Sequence, residues 1–218
     1  VNLSNLSALT NNSGTVDAAS TLTLGTSGAL SNRSGRLEGS LLSVSANSID
    51  NTSGTLVSLG SASASIQSTG GFNNTSGSVG LNSVNASVNA ASFNNTGGTL
   101  FHSGSGALTF TTTGALTNTG NLLGSGSLGL TAGSLSNTAD LLFNGNISAT
   151  LSGALVNSGT LQSQGVLTLN AASIDNDGTL SSLGSGTHDL RSRGLFDNNG
   201  GVVPVSYTHL RAHETLLY

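Results

Sequence analysis

The sequence predicts an all-β fold, a parallel β-helix (solenoid) of about ten coils, and three observations carry that prediction. One motif returns ten times along the 218 residues. A short strand signal with period-two alternation sits ahead of most copies. No stretch between these signals suits a helix, since Gly and Asn are poor helix formers and no window spaces its apolar residues at 3.6.

The motif is apolar-x-Asn-x-x-Gly-x-apolar. It appears as Leu9-Asn11-Gly14-Val16, Leu30-Asn32-Gly35-Leu37, Ile49-Asn51-Gly54-Leu56, Phe72-Asn74-Gly77-Val79 and Phe93-Asn95-Gly98-Leu100. A form one residue shorter follows, as Leu116-Asn118-Gly120-Leu122, Leu135-Asn137-Ala139-Leu141, Leu155-Asn157-Gly159-Leu161 and Ile174-Asn176-Gly178-Leu180. The longer form returns at Phe196-Asn198-Gly201-Val203. Spacings between successive motif Asn residues are 21, 19, 23, 21, 23, 19, 20, 19 and 22, a mean near 21.

Ahead of most copies lie Leu22-x-Leu24, Leu42-x-Val44, Ala64-x-Ile66, Leu108-x-Phe110, Leu128-x-Leu130, Ile147-x-Ala149 and Leu167-x-Leu169, each expected as a short strand with one face buried. Clusters such as Gly124-Ser125-Gly126 and Gly184-Ser185-Gly186 punctuate the strands. A leucine-rich horseshoe shares the period but needs a helical or 3₁₀ segment in each unit. What remains is a coil of two or three short strands per turn, each stacked on its equivalent one turn away. A three-residue strand is unstable alone, yet stacked at ~4.8 Å it joins a sheet whose donors and acceptors are paired on both sides. Ten coils make a rod of roughly 50 Å with a thin continuous apolar core.

Asn is expected at the corners because it tolerates the left-handed backbone region and because its amide can both donate to and accept from the amide one coil away. Asn11, Asn32, Asn51, Asn74, Asn95, Asn118, Asn137, Asn157, Asn176 and Asn198 would then form a ladder. Gly14, Gly35, Gly54, Gly77, Gly98, Gly120, Gly159, Gly178 and Gly201 supply corners where a side chain would clash. Glycosylation is the rival reading of Asn11-Asn12-Ser13, Asn51-Thr52-Ser53 and Asn74-Thr75-Ser76. The ladder is favoured because the Asn recurs at Asn118, Asn137 and Asn157, where the acceptor sequence is lost. The extra residue between Asn and Gly in the early copies predicts a corner that bulges in the first half and tightens in the second.

The fullest copy, Leu167-Thr168-Leu169-Asn170-Ala171-Ala172-Ser173-Ile174-Asp175-Asn176-Asp177-Gly178-Thr179-Leu180, resembles the repeats of bacterial filamentous haemagglutinins and of related exoproteins, including those of contact-dependent growth inhibition. The likeness runs over residues 1–203. It implies a right-handed β-helical shaft of a secreted, cell-surface adhesin, exported across the outer membrane by a partner transporter in a two-partner system. Host or neighbouring-cell receptors or glycans are the partners it implies. A stalk that delivers a contact-dependent toxin is the alternative within the same resemblance. The family's secretion domain is not visible in the sequence, and a chain that starts at Val1 and holds no Met suggests a piece of a longer reading frame.

Composition narrows the function classes. Five Arg, no Lys and nine Asp or Glu give a net charge of −4, which leaves no basic stripe for nucleic acid. Apolar runs of three or four residues fall far short of the ~20 needed for a membrane span. Zero Cys removes disulfides, zinc-thiolate sites and thiol catalysis. The 38 Ser, 26 Thr, 24 Asn and 31 Gly would suit a linker, but 34 Leu supply enough apolar material for a core.

A β-helical polysaccharide-degrading enzyme is the third reading, and it needs clustered carboxylates. Asp17, Glu38, Asp50 and Asp140 are isolated, while Asp175 and Asp177 flank Asn176 and can approach Asp197 one coil on. Corner capping is the favoured account of that cluster. His188-Asp189 with Arg191, Arg193, Ser181 and Ser182 is read as exposed polar strand, since nothing marks a nucleophile or an oxyanion hole. Thr21-Thr23 and Thr109-Thr111-Thr112-Thr113 suggest a binding face, but Thr does not recur at one phase in each coil. No catalytic residue, metal or cofactor is expected. After Val203 the register stops, and residues 204–218 are expected to be a foreign or disordered tail, resembling translated adaptor sequence. Its His209-x-x-x-His213-Glu214 spacing lacks a third metal ligand.

Overall fold

The computed structural model describes residues 1–204. Every regular element among them is a strand, and every strand pairing is parallel. The tail positions His209, His213 and Glu214 lie outside the described residues. No helix among the described residues is long and apolar enough to cross a membrane.

Each complete coil contributes three strands, so the rod has three faces. The first face follows the Asn corner, with strands such as Thr55–Ser58, Ser78–Leu81, Thr99–His102, Asn121–Gly124 and Asp140–Phe143. The second carries the Leu-x-Leu segments, for example Ala64–Ser68, Ala107–Thr112, Ser127–Ala132 and Leu167–Ala171. The third ends on the motif Asn, as in Ser92–Asn95, Ala115–Asn118 and Ser173–Asn176. In the first coils two long strands, Thr15–Thr26 and Arg36–Ala46, run through the edge between the first and second faces and join them into one sheet.

Alternation places one side of each strand inside, and the register turns those positions into columns. Leu37, Leu56, Val79, Leu100, Leu122, Leu141, Leu161 and Leu180 stack on the first face, all at most 1% exposed. Leu30, Ile49, Phe72, Phe93, Leu116, Leu135, Leu155 and Ile174 stack on the third. Phe93 packs edge-on against Phe72 and Phe110 at centroid distances of 5.0 and 4.9 Å, a favoured aromatic geometry. Where Phe143 enters a column, Gly124 one coil earlier makes the room, since a Cβ there would sit 2.1 Å from the ring.

Candidate functional site

The motif Asn side chains turn into the rod rather than out of it, and Asn32 through Asn176 are at most 1% exposed. The Nδ2 of Asn11, Asn32, Asn51, Asn74 and Asn95 each donates to the Oδ1 of the next Asn at 2.8 Å. Asn118 bonds Asn137 at 2.7 Å, Asn137 bonds Asn157 at 2.8 Å, Asn157 bonds Asn176 at 2.7 Å and Asn176 bonds Asn198 at 2.6 Å. All ten are thus joined in one column that runs in a single direction. The remaining Nδ2 proton finds carbonyls, for Asn32 those of Gly35 and Thr55 and for Asn51 those of Gly54 and Ser78. A buried amide left without partners would cost about 1–3 kcal/mol. Here each one ties its own corner to the coil ahead. Asn51 and Asn74, both in glycosylation-type sequences, are fully buried, so the folded rod does not offer their amides for modification.

The corner backbone corrects one expectation. The left-handed residue is not the Asn. It is the residue two positions later, Ser13, Ser34, Ser53 and Ser76 with φ between 52° and 54°, and Gly97 at 59°. The Asn has no positive φ and follows the strand end with its side chain turned inward, and a four-residue turn closes by a bond from the Gly N–H to the Asn carbonyl, at 3.1 Å for Gly14 and 2.9 Å for Gly54. In the shorter copies no left-handed residue is recorded. The tenth copy, Asn198 to Gly201, has the long spelling but also no left-handed residue. The motif glycines are sterically required: a Cβ on Gly54 would lie 1.9 Å from the Asn32 carbonyl oxygen and 2.6 Å from the Asn51 Oδ1.

A second ladder, invisible to the motif count, runs outside the first. Asp50, Asn73 and Asn94 each accept from the hydroxyl and the N–H of the Thr two residues on, at 2.6–2.7 Å for the hydroxyls. Asn73 and Asn94 reach back one coil to the hydroxyls of Thr52 and Thr75 at 2.9 and 3.2 Å. Arg33 closes the lower end on Asp50 at 2.6 Å. Partial burial pushes the Asp50 carboxyl upward, but Thr52 and the Arg33 guanidinium together hold it below the usual carboxylate value.

The chemistry-bearing residues gather at one place, around the ninth and tenth corners. Asp175 and Asp197 are registered partners on adjacent strands, with Asp177 beside the corner of Gly200. Asp175 and Asp197 share one outward column, and Asp177 lies at the corner beyond its end. His188 is buried, contrary to the exposed-strand expectation: its Nδ1 accepts from the Leu167 N–H at 3.3 Å and its Nε2 donates to the Gly184 carbonyl at 3.1 Å. Ser181 and Ser182 are buried as well, with the Ser182 hydroxyl donating to the Gly165 carbonyl at 2.6 Å.

His102 carried no signal in the motif. It sits fully buried on the first face, its Nε2 donating to the Ser83 carbonyl at 2.9 Å, while its Nδ1 and the Ser83 hydroxyl have no partner. Burial pushes this imidazole below its ordinary value against the opposing effect of the Ser83 and Val84 backbone. It is the only ionisable side chain between Asp50 and Asp140. Among the described residues no three His, Cys, Asp or Glu gather as metal ligands. A shallow groove of about 560 Å³ along Ser4–Ser7 and Gly25–Ser27 is lined only by neutral groups.

The second face carries the most regular outer surface. Thr23, Ser43, Ser65, Ser87, Thr109, Gly129, Ser148 and Thr168 occupy one outward column. Thr alone does not recur at this phase, but a hydroxyl does in seven of these eight coils.

A buried Asn column under Gly corners, repeated at this period, is matched by the haemagglutinin repeat model over residues 77–150 and 142–200, more than half of the chain. The chain belongs to the haemagglutinin repeat family. No curated protein and no solved structure matches it. Haemagglutinin repeats come from secreted, cell-surface adhesins that use two-partner secretion. The early coils of this chain, before residue 77, carry the same Asn ladder as the matched ones.

Proposed function

We propose that this chain is a non-catalytic length of the shaft of a secreted bacterial adhesin, exported through an outer-membrane partner transporter and standing outside the cell. The observation that supports the reading most is the unbroken Asn column. It couples each coil to the next through buried bonds, which favours a stiff rod over a set of loosely strung units. The surface points the same way. The second face offers hydroxyls suited to hydrogen bonding with receptors or glycans.

A shaft has a measurable property, length proportional to coil number. With the full chain placed between two labelled domains, duplicating the coils of residues 119–176 should lengthen the separation by ~4.8 Å per added coil. Growth with the square root of residue number, as for a flexible linker, would defeat the shaft reading. Turnover of a polysaccharide that vanishes in Asp175→Ala or Asp177→Ala would defeat its non-catalytic part.

A further inference from the structure

One outer column departs from the polar character of the rest. On the first face the outward positions of five successive coils are Val57, Gly80, Phe101, Leu123 and Leu142, held in register by parallel pairing. Inward-apolar, outward-polar alternation fails here, because Leu100-Phe101, Leu122-Leu123 and Leu141-Leu142 place apolar side chains on both sides of their strands. Phe101 remains 41% exposed, and a Cβ built on Gly80 would meet nothing within 4 Å. A projecting ring therefore stands one coil from an open notch. From Val57 to Leu123 the column lies within a stretch, Asn51 to Ala139, that contains no Asp, Glu, Lys or Arg.

We propose that this stripe is the contact face of a symmetric, antiparallel pair of rods, its partner being a second copy of this chain. An occupant must be apolar, straight and uncharged over several coils, and the chain's own stripe meets all three conditions. Knob and notch are neighbours in one column, so a two-fold axis crossing midway between them lays each Phe101 over the other copy's Gly80 and sets Val57 against Leu123; Leu142 then meets the coil of Glu38, where the apolar match ends. Such a contact is self-complementary and closes at two copies. Parallel rods would instead oppose Phe101 to Phe101 and leave Gly80 facing a void. Like charges do not oppose the approach in this stretch. Four matched coils of one face offer less than the ~800 Å² per partner of a stable complex, so the pairing is weak and depends on concentration.

Sedimentation equilibrium of the full chain over roughly a hundred-fold range of concentration tests this. The mass should rise from the 21.4 kDa of one chain toward twice that value. Phe101→Lys and, separately, Gly80→Lys should hold it at one chain with unchanged thermal unfolding, since both positions face solvent and the notch at Gly80 has room for a side chain. A wild-type chain that stays at one mass throughout would overturn the proposal. So would association that persists equally in both variants, which would place the contact at the rod ends or on another face. Loss of pairing in Phe101→Lys with none in Gly80→Lys would overturn the antiparallel arrangement.

Discussion

In the first five coils the corner spends three residues from Asn to Gly and turns through a left-handed residue, whereas in coils six to nine it spends two and records none. The backbone bonds reverse with it. Ser13, Ser34, Ser53 and Ser76 send their N–H groups forward, to the carbonyls of Arg33, Thr52, Thr75 and Thr96 in the next coil. Thr138, Ser158 and Asp177, one residue after their Asn, send theirs back to Asn118, Asn137 and Asn157. Two different turns thus occupy the same place in the coil.

The Asn column does not register the change. Asn95 to Asn118, the step that crosses from one corner type to the other, is bonded at 2.8 Å like its neighbours. The side-chain amide is therefore the shared constraint, and the residues between Asn and Gly are free to solve the corner in either way. An insertion of one residue is absorbed outside the core, where it shifts no apolar side chain to the wrong face.

If the column is common to both halves, breaking it should cost the same in each. Asn95→Asp and Asn157→Asp keep the shape but remove the donor, and they set a buried carboxylate against the Oδ1 of the following Asn. Each should lose about 3–5 kcal/mol in chemical denaturation. A mild Asn157→Asp beside a severe Asn95→Asp would show that the short-corner half is held by something else. The glycines should fail alike in both halves next. Gly54→Ala drives a methyl into the Asn32 carbonyl and should cost about 3 kcal/mol. Gly159→Ala should cost about as much, because its Cβ would lie 2.2 Å from the Ala139 carbonyl oxygen and 2.4 Å from the Ala139 nitrogen. A much smaller loss in Gly159→Ala would mean that the short corner opens to take a side chain, as the coil with Ala139 does.

The parts of this arrangement that could be read from the sequence are those that repeat locally. Leu-x-Leu alternation and the recurring Asn mark buried positions wherever they fall, so the coil and its core followed from spacing alone. Ser53 as the left-handed residue did not, because Ser is not a type that prefers that region and Asn, which does, stood two positions away. The outward columns were hidden for another reason. Coil lengths vary from 19 to 23 residues, so counting loses phase between Thr23, Ser43 and Ser65, and only the hydrogen-bonded register aligns them. His102 shares its inward column with Leu81 and Gly124, a position whose occupants follow no pattern.

That histidine gives the charge-free centre of the rod a pH response of its own. The folded state holds His102 below its ordinary value of 6.5, so the unfolded chain takes up the proton first as pH falls. Stability contributed by the neutral imidazole is complete above about pH 6.5 and is lost below it, at no more than ~1.4 kcal/mol per pH unit. Asp50, held below 3.8, acts in a separate and more acidic window, where its contribution is lost as pH falls. Hydrogen exchange compared at pH 7.5 and 5.5 should show a larger acceleration of opening around residues 81–124 than in residues 21–49, which hold no His, and His102→Gln should remove the difference. A uniform response along the rod would remove His102 as its cause.

The smallest effect is the most direct probe of the two corners. A left-handed residue with a Cβ costs roughly 1–2 kcal/mol, and replacing it by Gly returns part of that while adding freedom to the unfolded chain. Ser53, exposed at φ 54°, should therefore gain about 0.5 kcal/mol of stability as Ser53→Gly. The fifth coil already carries Gly97 at the same point, at φ 59°. Ser158 lies in a short corner with no left-handed residue, so Ser158→Gly relieves nothing and should lose about 0.5 kcal/mol to unfolded-state entropy. Opposite signs for one substitution in two halves of one ladder are expected in thermal unfolding of the paired variants. The same sign for both would mean that the left-handed corner is not where the two turns differ in energy.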